Sequence, residues 1–278
     1  MPQPLVCTPW PPQVTSLAVS IRDILVSGSQ DGTIQIRRLM FNVRKESRRK
    51  SMRTVITGRG THGPISAVTL ALHEEFCVSG TETGVLEQWN VKTGKSLLTM
   101  ERLKSPVYAL LIPPTCDSVF AGYEGASIAK FSLTTGNVLQ EFGDFHEYFV
   151  CLAFAKNGLF AIAACPDGAL LKIGLEDGEV KNGFYGSAVV DSICVSDLCV
   201  NAVTGTKDNT LLAWNVEMPM DDPDIWGHAG GANLLAVNPA TGADVASQGN
   251  DNTREVWIWD RNAGNTLGRH KHSADVYV

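Results

Sequence analysis

The sequence contains no apolar run long enough to cross a bilayer as a helix. Its longest apolar stretches, Phe149 to Ala155 and Leu159 to Cys165, are far shorter than the ~20 residues that such a helix needs. No Asn-x-Ser/Thr glycosylation acceptor occurs, and no Lys or Arg precedes Arg22, so a secretory or mitochondrial leader is not expected. These absences predict a protein of the cytoplasm or nucleus with no membrane span.

The sequence also lacks the cysteine and histidine spacing of a metal site or a disulfide framework. Its seven cysteines show no Cys-x-x-Cys pair and lie mostly in apolar stretches, which favours reduced core residues. His270 and His272, near Asp275, could face one side of an extended segment, but no further His or Cys lies close to them in sequence. A solvated tail is therefore favoured there, and we expect no metal and no cofactor.

Signals for phosphate or nucleic-acid binding are weak. The net charge of −6 argues against broad nucleic-acid affinity. Residues Gly58 to Gly63 match G-x-G-x-x-G after a strand expected at Arg53 to Thr57, yet Pro64 to Thr69 has the pattern of another strand. A pyrophosphate site needs a helix N-terminus at that place, so the motif is interpreted as a turn between repeats.

What the sequence does contain is a repeat of roughly forty residues that occurs six times. An apolar strand leads into a glycine turn, as in Ser27 to Gly32 and Ser79 to Gly84, and a further strand often ends in Trp-Asn or Trp-Asp. A fourth strand fits after a Thr-Gly or Asp-Gly step. The first strands begin near Val14, Ile65, Pro106, Phe149, Val189 and Gly231.

Within each repeat, apolar residues alternate at period two and are bounded by Gly, Asp and Asn, which is typical of strands joined by tight turns. No helix is predicted. Each repeat is therefore expected to form a four-stranded antiparallel sheet that cannot bury both faces alone. Stacking such sheets in a ring covers their faces, which is the β-propeller solution.

The repeat resembles that of the WD-repeat β-propeller family, from about Val14 to Val278. The resemblance rests on period, turn and terminal dipeptide together. It implies an all-β propeller of six recognisable four-stranded repeats forming a single domain over residues 1–278. Residues Arg261 to Leu267 fit a fourth strand, and His270 to Val278 resembles the start of an incomplete seventh repeat.

The family resemblance also implies a buried polar set in each repeat. Its members are a His near the start, a Ser or Thr on the second strand, an Asp in the turn and a Trp on the third strand. Three departures stand out: Ser187 replaces His in repeat five, Thr83 replaces Asp in repeat two, and Arg37 replaces Trp in repeat one. The matching residues are His228, Ser247, Asp251 and Trp259 in repeat six, Thr204, Asp208 and Trp214 in repeat five, His62, Ser79 and Trp89 in repeat two, and Ser27 and Asp31 in repeat one.

The resemblance implies a noncatalytic scaffold that holds proteins or peptides within a larger complex through loops on the propeller faces. Two alternatives stay open: a propeller enzyme, such as a hydrolase, at the central channel, and an RNA-associated module. Asp31, Asp208 and Asp251 recur at equivalent positions, so turn formation explains them better than acid/base catalysis.

A basic segment between Phe41 and Arg53 lengthens the first repeat and is predicted to be a loop between its third and fourth strands. A solvated surface loop is one interpretation; docking to an acidic partner or RNA, and nuclear import, are others. Ser51 follows Arg-Arg-Lys and is a candidate phosphorylation site, where phosphate could pair with the arginines. The candidate partner-binding residues are Arg44, Lys45, Arg48, Arg49, Lys50 and Arg53.

A second irregular segment, from Met218 to Trp226, is acidic and rich in turn residues. It is either a connector or a recognition point for a basic peptide, with Trp226 as the candidate contact.

Overall fold

A computed structural model describes residues 13–20, 24–42, 49–60, 62–101, 104–125, 127–143, 145, 148–185, 189–196, 201–208, 210–217, 224–227, 232–237, 244–249, 255–260 and 265–271. These residues form 24 strands in six four-stranded antiparallel sheets and no helix, which confirms the predicted all-β repeat. Accordingly, no helix that could serve as a membrane span occurs in these ranges.

The first of two compact units contains sheets one and two and all of sheet three except Ser127 and Phe142, and in each sheet the four strands pair in chain order. Sheet one is β1 (Val14–Val19), β2 (Ile24–Ser29), β3 (Thr33–Asn42) and β4 (Arg49–Arg59); sheet two is β5 (Ile65–Leu70), β6 (Phe76–Thr81), β7 (Val85–Asn90) and β8 (Ser96–Glu101); sheet three is β9 (Val107–Leu111), β10 (Ser118–Tyr123), β11 (Ser127–Ser132) and β12 (Val138–Phe142).

The second unit contains sheets four to six, again with the strands paired in chain order. Sheet four is β13 (Cys151–Phe154), β14 (Phe160–Ala164), β15 (Ala169–Gly174) and β16 (Val180–Tyr185); sheet five is β17 (Val190–Val195), β18 (Asn201–Thr206), β19 (Thr210–Asn215) and β20 (Asp224–Gly227); sheet six is β21 (Ala232–Val237), β22 (Asp244–Gly249), β23 (Glu255–Asp260) and β24 (Asn265–Lys271).

Within each unit, successive sheets bury their apolar faces against each other. Val26 and Ile36 of sheet one pack in a cluster with Trp89 of sheet two. In the second unit, Ile162 of sheet four packs in a cluster with Trp214 of sheet five. Because side chains alternate across a strand, central strands covered on both faces are apolar at most positions, as the fully buried β14 shows.

The two glycines at the first hairpin of repeats one and two have different roles. Gly28 and Gly80 lie inside β2 and β6, so the interpretation of the whole glycine stretch as a turn is wrong for the first glycine. A Cβ atom on Gly28 would lie 2.3 Å from Ile65 Cγ2 of the next sheet, and one on Gly80 would lie 2.6 Å from Val107 Cγ1. The turn itself is made by the second glycine, which has φ +87° at Gly84.

The end of the sequence differs from the prediction. β24 runs from Asn265 to Lys271 and pairs His270 with Val256, so His270 belongs to the fourth strand of sheet six and does not begin a seventh repeat. Residues 272–278, including His272 and Asp275, lie outside the described ranges. That all 278 residues form one domain stays a prediction.

Candidate functional site

A buried tryptophan is hydrogen-bonded to a hydroxyl in sheets two, five and six. The indole Nε1 of Trp89 donates to Ser79 Oγ at 2.8 Å. Trp214 donates to Thr204 Oγ1 at 3.0 Å and Trp259 to Ser247 Oγ at 2.8 Å. In sheet two, Trp89 lies directly opposite Cys77, so its indole reaches the diagonal neighbour Ser79. Each bond ties the second strand of a sheet to the third.

Two of the predicted turn aspartates, Asp31 and Asp208, bond within their own turns. Asp31 Oδ1 accepts from the Thr33 backbone N–H at 3.0 Å. Asp208 Oδ1 accepts from the hydroxyls of Thr206 and Thr210. The Thr206 hydrogen bond is the main cause that lowers the pKa of Asp208 below its usual value. The flanking threonines were missed from the sequence, although a Thr-x-Asp-x-Thr pattern is visible around Asp208.

In sheet two, Thr83 takes the place of the turn aspartate. Its Oγ1 donates to the backbone carbonyl of His62 at 2.7 Å and lies 2.9 Å from Thr81 Oγ1. The backbone carbonyl of His62 therefore takes part in the hydrogen bonding of this turn, whereas the resemblance implied that its imidazole would do so. His228, Asp251 and Ser187 lie outside the described residues.

Sheet one keeps the serine of this arrangement but has lost the tryptophan. Arg37 lies opposite Leu25, as Trp89 lies opposite Cys77 in sheet two, so Arg37 occupies the position of the tryptophan. Its side chain is only 1% exposed. Its Nε and Nη2 donate to Gln35 Oε1 at 3.3 and 2.7 Å. Ser27 Oγ, two residues beyond Leu25, is buried and has no hydrogen-bond partner among the described residues.

The basic segment is largely a hairpin, so the prediction of a loop over its whole length is wrong. The pairing of β3 with β4 continues from the pair of Arg38 and Arg53 to the pair of Met40 and Ser51. The pairing also includes Lys50 and ends at the pair of Asn42 and Arg49. We call residues 39–53 the basic arm. Arg44, Lys45 and Arg48 fall in 43–48, outside the described residues, and the roles of the arm and of Ser51 stay predictions.

Trp226 is also part of a strand. It lies in β20 and pairs with Leu211 of β19, so it belongs to the fourth strand of sheet five and not to a connector. Residues 218–223 of the acidic segment lie outside the described part, and partner binding by Trp226 stays a prediction.

Among the described residues, no cysteine forms a disulfide. Burial raises the pKa of Cys77 to about 12, and it likewise raises that of Cys151 and Cys194 to about 12. These three side chains are therefore protonated at neutral pH, which suits core residues. Within the described ranges, no group of three or more His, Cys, Asp or Glu side chains is placed to hold a metal ion.

Comparison with known proteins connects this arrangement to a family. No family model matches the chain. It is 29% identical over 172 residues to Protein ROOT INITIATION DEFECTIVE 3 of Arabidopsis thaliana, and 25% identical over 181 residues to WD repeat-containing protein 36 of Homo sapiens. These likenesses, one of them to a protein named for its WD repeats, and the six four-stranded sheets support the resemblance to the WD-repeat β-propeller family. The chain matches the two relatives over 60% and 63% of its own residues, but it spans only 38% and 20% of their lengths.

Proposed function

We propose that this chain is a noncatalytic scaffold that holds other proteins within a multiprotein complex. The observation that carries the proposal is the use of its polar side chains. Indole N–H groups bond to hydroxyls between neighbouring strands, as Trp89 does to Ser79, and Asp167 and Asp177 accept from backbone N–H groups two residues ahead. Side chains bound in this way stiffen the sheets. We therefore expect partner proteins to bind at the connections between strands.

Three hairpin aspartates of the described part, Asp31, Asp167 and Asp208, are engaged in their own turns. Asp31 and Asp167 each accept from a backbone N–H within their own hairpin, and Asp208 accepts from two neighbouring hydroxyls. A general base must instead reach a substrate proton with a free lone pair in a shared cleft. This placement supports a scaffold over a propeller hydrolase.

An RNA-associated role is the second candidate, because the basic arm gathers six Lys and Arg residues with a single acid, Glu46. Paired strands extend the arm to Asn42 and Arg49. A projecting basic hairpin could contact phosphates, and such contacts would be salt-dependent. The overall charge of −6 favours protein partners over nucleic acid.

The test is affinity purification of the tagged chain with and without nuclease, followed by mass spectrometry. Protein partners that persist after nuclease treatment support the scaffold, and partners lost with nuclease support the RNA role. A variant with all six basic residues of the arm changed to Gln tests the arm itself. If it retains every partner, the arm is not a docking element.

We also propose a location in the cytoplasm or nucleus, to which the free thiol of Cys77 lends support. Fluorescence microscopy of the tagged chain tests this proposal, and a signal in the secretory pathway would contradict it.

A further inference from the structure

A cavity of about 540 Å³ lies within the first unit, between sheets one and two. Its volume falls in the range of about 300–1,000 Å³ that is usual for small binding pockets. One side of the cavity, which we call the apolar wall, is formed by Ile24 and Ile36 of sheet one and by Val91, which follows β7. The remaining lining residues are polar or charged: Arg37, Arg38, His73, Glu74, Glu75 and Lys92.

Glu74 gives this cavity an unsatisfied acceptor. Its residue adopts φ +58°, a left-handed conformation that few non-glycine residues adopt, in a turn closed by its N–H to Ala71 O at 2.9 Å. Its carboxylate oxygen Oε1 is buried and finds no hydrogen-bond partner in the part of the chain that the structure describes. Buried polar atoms normally have a partner, so this oxygen indicates an N–H or O–H donor supplied by a bound molecule.

The charge of the lining complements a ligand with a single negative charge. Arg37 is buried and bonded to Gln35, and a guanidinium stays protonated even when it is buried. Arg38 and Lys92 are exposed at the rim of the cavity. With His73 neutral, the three cations outnumber the two carboxylates of the lining by one. One carboxylate on the ligand would balance this excess.

Exposed aliphatic side chains adjoin the charged rim. Leu72 is 54% exposed and directly precedes His73 of the lining. Val19 is 66% exposed and pairs with Leu25, the neighbour of Ile24 in the apolar wall. Large apolar side chains that stay in water next to a pocket are a common feature of binding surfaces. The ligand is therefore expected to carry an apolar group close to its carboxylate.

We propose that this cavity binds the C-terminal residue of a partner protein, an inference that rests on the proposed scaffold function and names its partner class. The α-carboxylate of that residue pairs with Arg38 and Lys92. Its backbone N–H donates to Glu74 Oε1, and its apolar side chain packs on the apolar wall. The preceding residues of the partner leave the cavity past Leu72.

A chain end fits these features better than an internal acidic residue does. The terminal residue carries a carboxylate, an N–H donor and a side chain within one amino acid, so all three lie within reach of a single pocket. An internal Asp or Glu also offers a carboxylate, but the chain would then have to enter the cavity and leave it again. A free terminus enters through one opening.

RNA fits the described lining less well. Its bases carry donors that could satisfy Glu74, but single-stranded RNA is usually held by a groove of several cations and by stacking on aromatic rings. Among the described residues, no Phe, Tyr or Trp lines the cavity. The carboxylates of Glu74 and Glu75 would also repel a row of phosphates.

The experiment begins with a selection of short random peptides, displayed on phage with free C-termini, against the purified full chain. A selected peptide is then synthesised with fluorescein at its N-terminus in three forms. The first has a free terminal carboxylate, and the second has a terminal amide. The third has Asp in place of the last residue and continues into a Gly-Gly amide. Fluorescence anisotropy measures the Kd of each form for the parent chain, so this comparison needs no variant that must fold.

Two variants of the chain then test the pocket itself. The double change Arg38→Gln with Lys92→Gln removes the rim cations, and its matched control is Arg59→Gln with Lys104→Gln, at exposed positions that do not line the cavity. Glu74→Gly removes the unsatisfied carboxylate and suits the positive φ at this position, since glycine adopts it without strain. Its control is Glu82→Gly, at an exposed turn position.

We expect the selected peptides to share an apolar last residue. The free acid is expected to bind the parent chain about tenfold or more tightly than the amide or the Asp-Gly-Gly form. Removal of the rim cations is expected to raise the Kd of the free acid about tenfold or more, and Glu74→Gly about threefold or more, with both controls unchanged.

Four results would overturn this inference: no selected peptide, equal binding of the acid and amide forms, equal binding of the acid and Asp-Gly-Gly forms, or cavity variants that bind as the parent does. Tight binding of an oligouridylate that removal of the rim cations abolishes would also overturn it, by assigning the cavity to RNA. None of these results decides the scaffold proposal, because that proposal depends on whether protein partners persist after nuclease treatment.

Discussion

A serine occupies the same place on the second strand in sheets one and two, but only one of the two has a partner. Ser79 is 1% exposed and accepts from Trp89 Nε1 at 2.8 Å. Ser27 is 0% exposed, and its Oγ has no hydrogen-bond partner among the described residues because Arg37 replaces the tryptophan. Ser→Ala removes the same oxygen at equal burial in both sheets, so the pair isolates the value of the indole hydrogen bond.

The two substitutions are expected to change the free energy of unfolding by different amounts or in opposite directions. Ser79→Ala leaves the buried indole N–H of Trp89, itself 2% exposed, without its acceptor, which costs about 1–3 kcal/mol of unfolding free energy. Ser27→Ala removes a buried hydroxyl that makes no hydrogen bond, so the free energy of unfolding is expected to change by about 0 or to rise slightly. For a chain of this length, the difference corresponds to roughly 2–4 °C in Tm for each kcal/mol.

Urea unfolding followed by tryptophan fluorescence and by far-UV circular dichroism measures both variants against the parent. An unchanged m-value would show that the variants differ in stability and not in the compactness of the unfolded state. Equal destabilisation by the two substitutions, or a larger loss at Ser27, would refute the argument that the indole bond makes the serine stabilising.

Three further predictions concern packing, pH and thiol chemistry. Gly80→Ala places a Cβ 2.6 Å from Val107 Cγ1 and is expected to lower the free energy of unfolding in urea by about 1–3 kcal/mol. The control Gly143→Ala, whose Cβ would have no atom within 4 Å, should leave it nearly unchanged. Equal losses would contradict the packing role of Gly80. Because the folded pKa of Asp208 is lowered, its carboxylate stabilises the fold above the unfolded pKa of about 3.9, and that contribution is lost as pH falls through the folded pKa. Asp208→Asn should therefore flatten the acid limb of Tm against pH, and an unchanged limb would contradict this. Cys77, with its pKa raised to about 12, should resist iodoacetamide at pH 8 until urea unfolds the chain; rapid labelling in the native state, located by peptide mass mapping, would contradict its burial.

The strands and their order could be predicted because they depend on local pattern. The predicted starts at Val14 and Ile65 match β1 and β5, and the fourth strand expected after a Thr-Gly step matches β12, which follows Thr135-Gly136. Alternation at period two and the positive φ of turn glycines are encoded by neighbouring residues, so a single sequence carries them.

Features that depend on contacts between sheets could not be predicted in this way. The sequence alone does not indicate that Gly28 lies against Ile65, which is in the following sheet. Nor does it indicate that Glu74 shares a cavity with Arg38, since sheet pairing and packing bring these distant residues together. The hairpin form of the basic arm was missed for a related reason: its polar residues lack the apolar alternation by which strands are recognised.

The central claim is that this chain works as a scaffold within a multiprotein complex. The most direct measurement is velocity sedimentation of the tagged chain in native, nuclease-treated extract. We predict that most of it sediments as an assembly much larger than a 278-residue monomer, together with protein partners. Sedimentation of the nuclease-treated chain as a free monomer would contradict the claim.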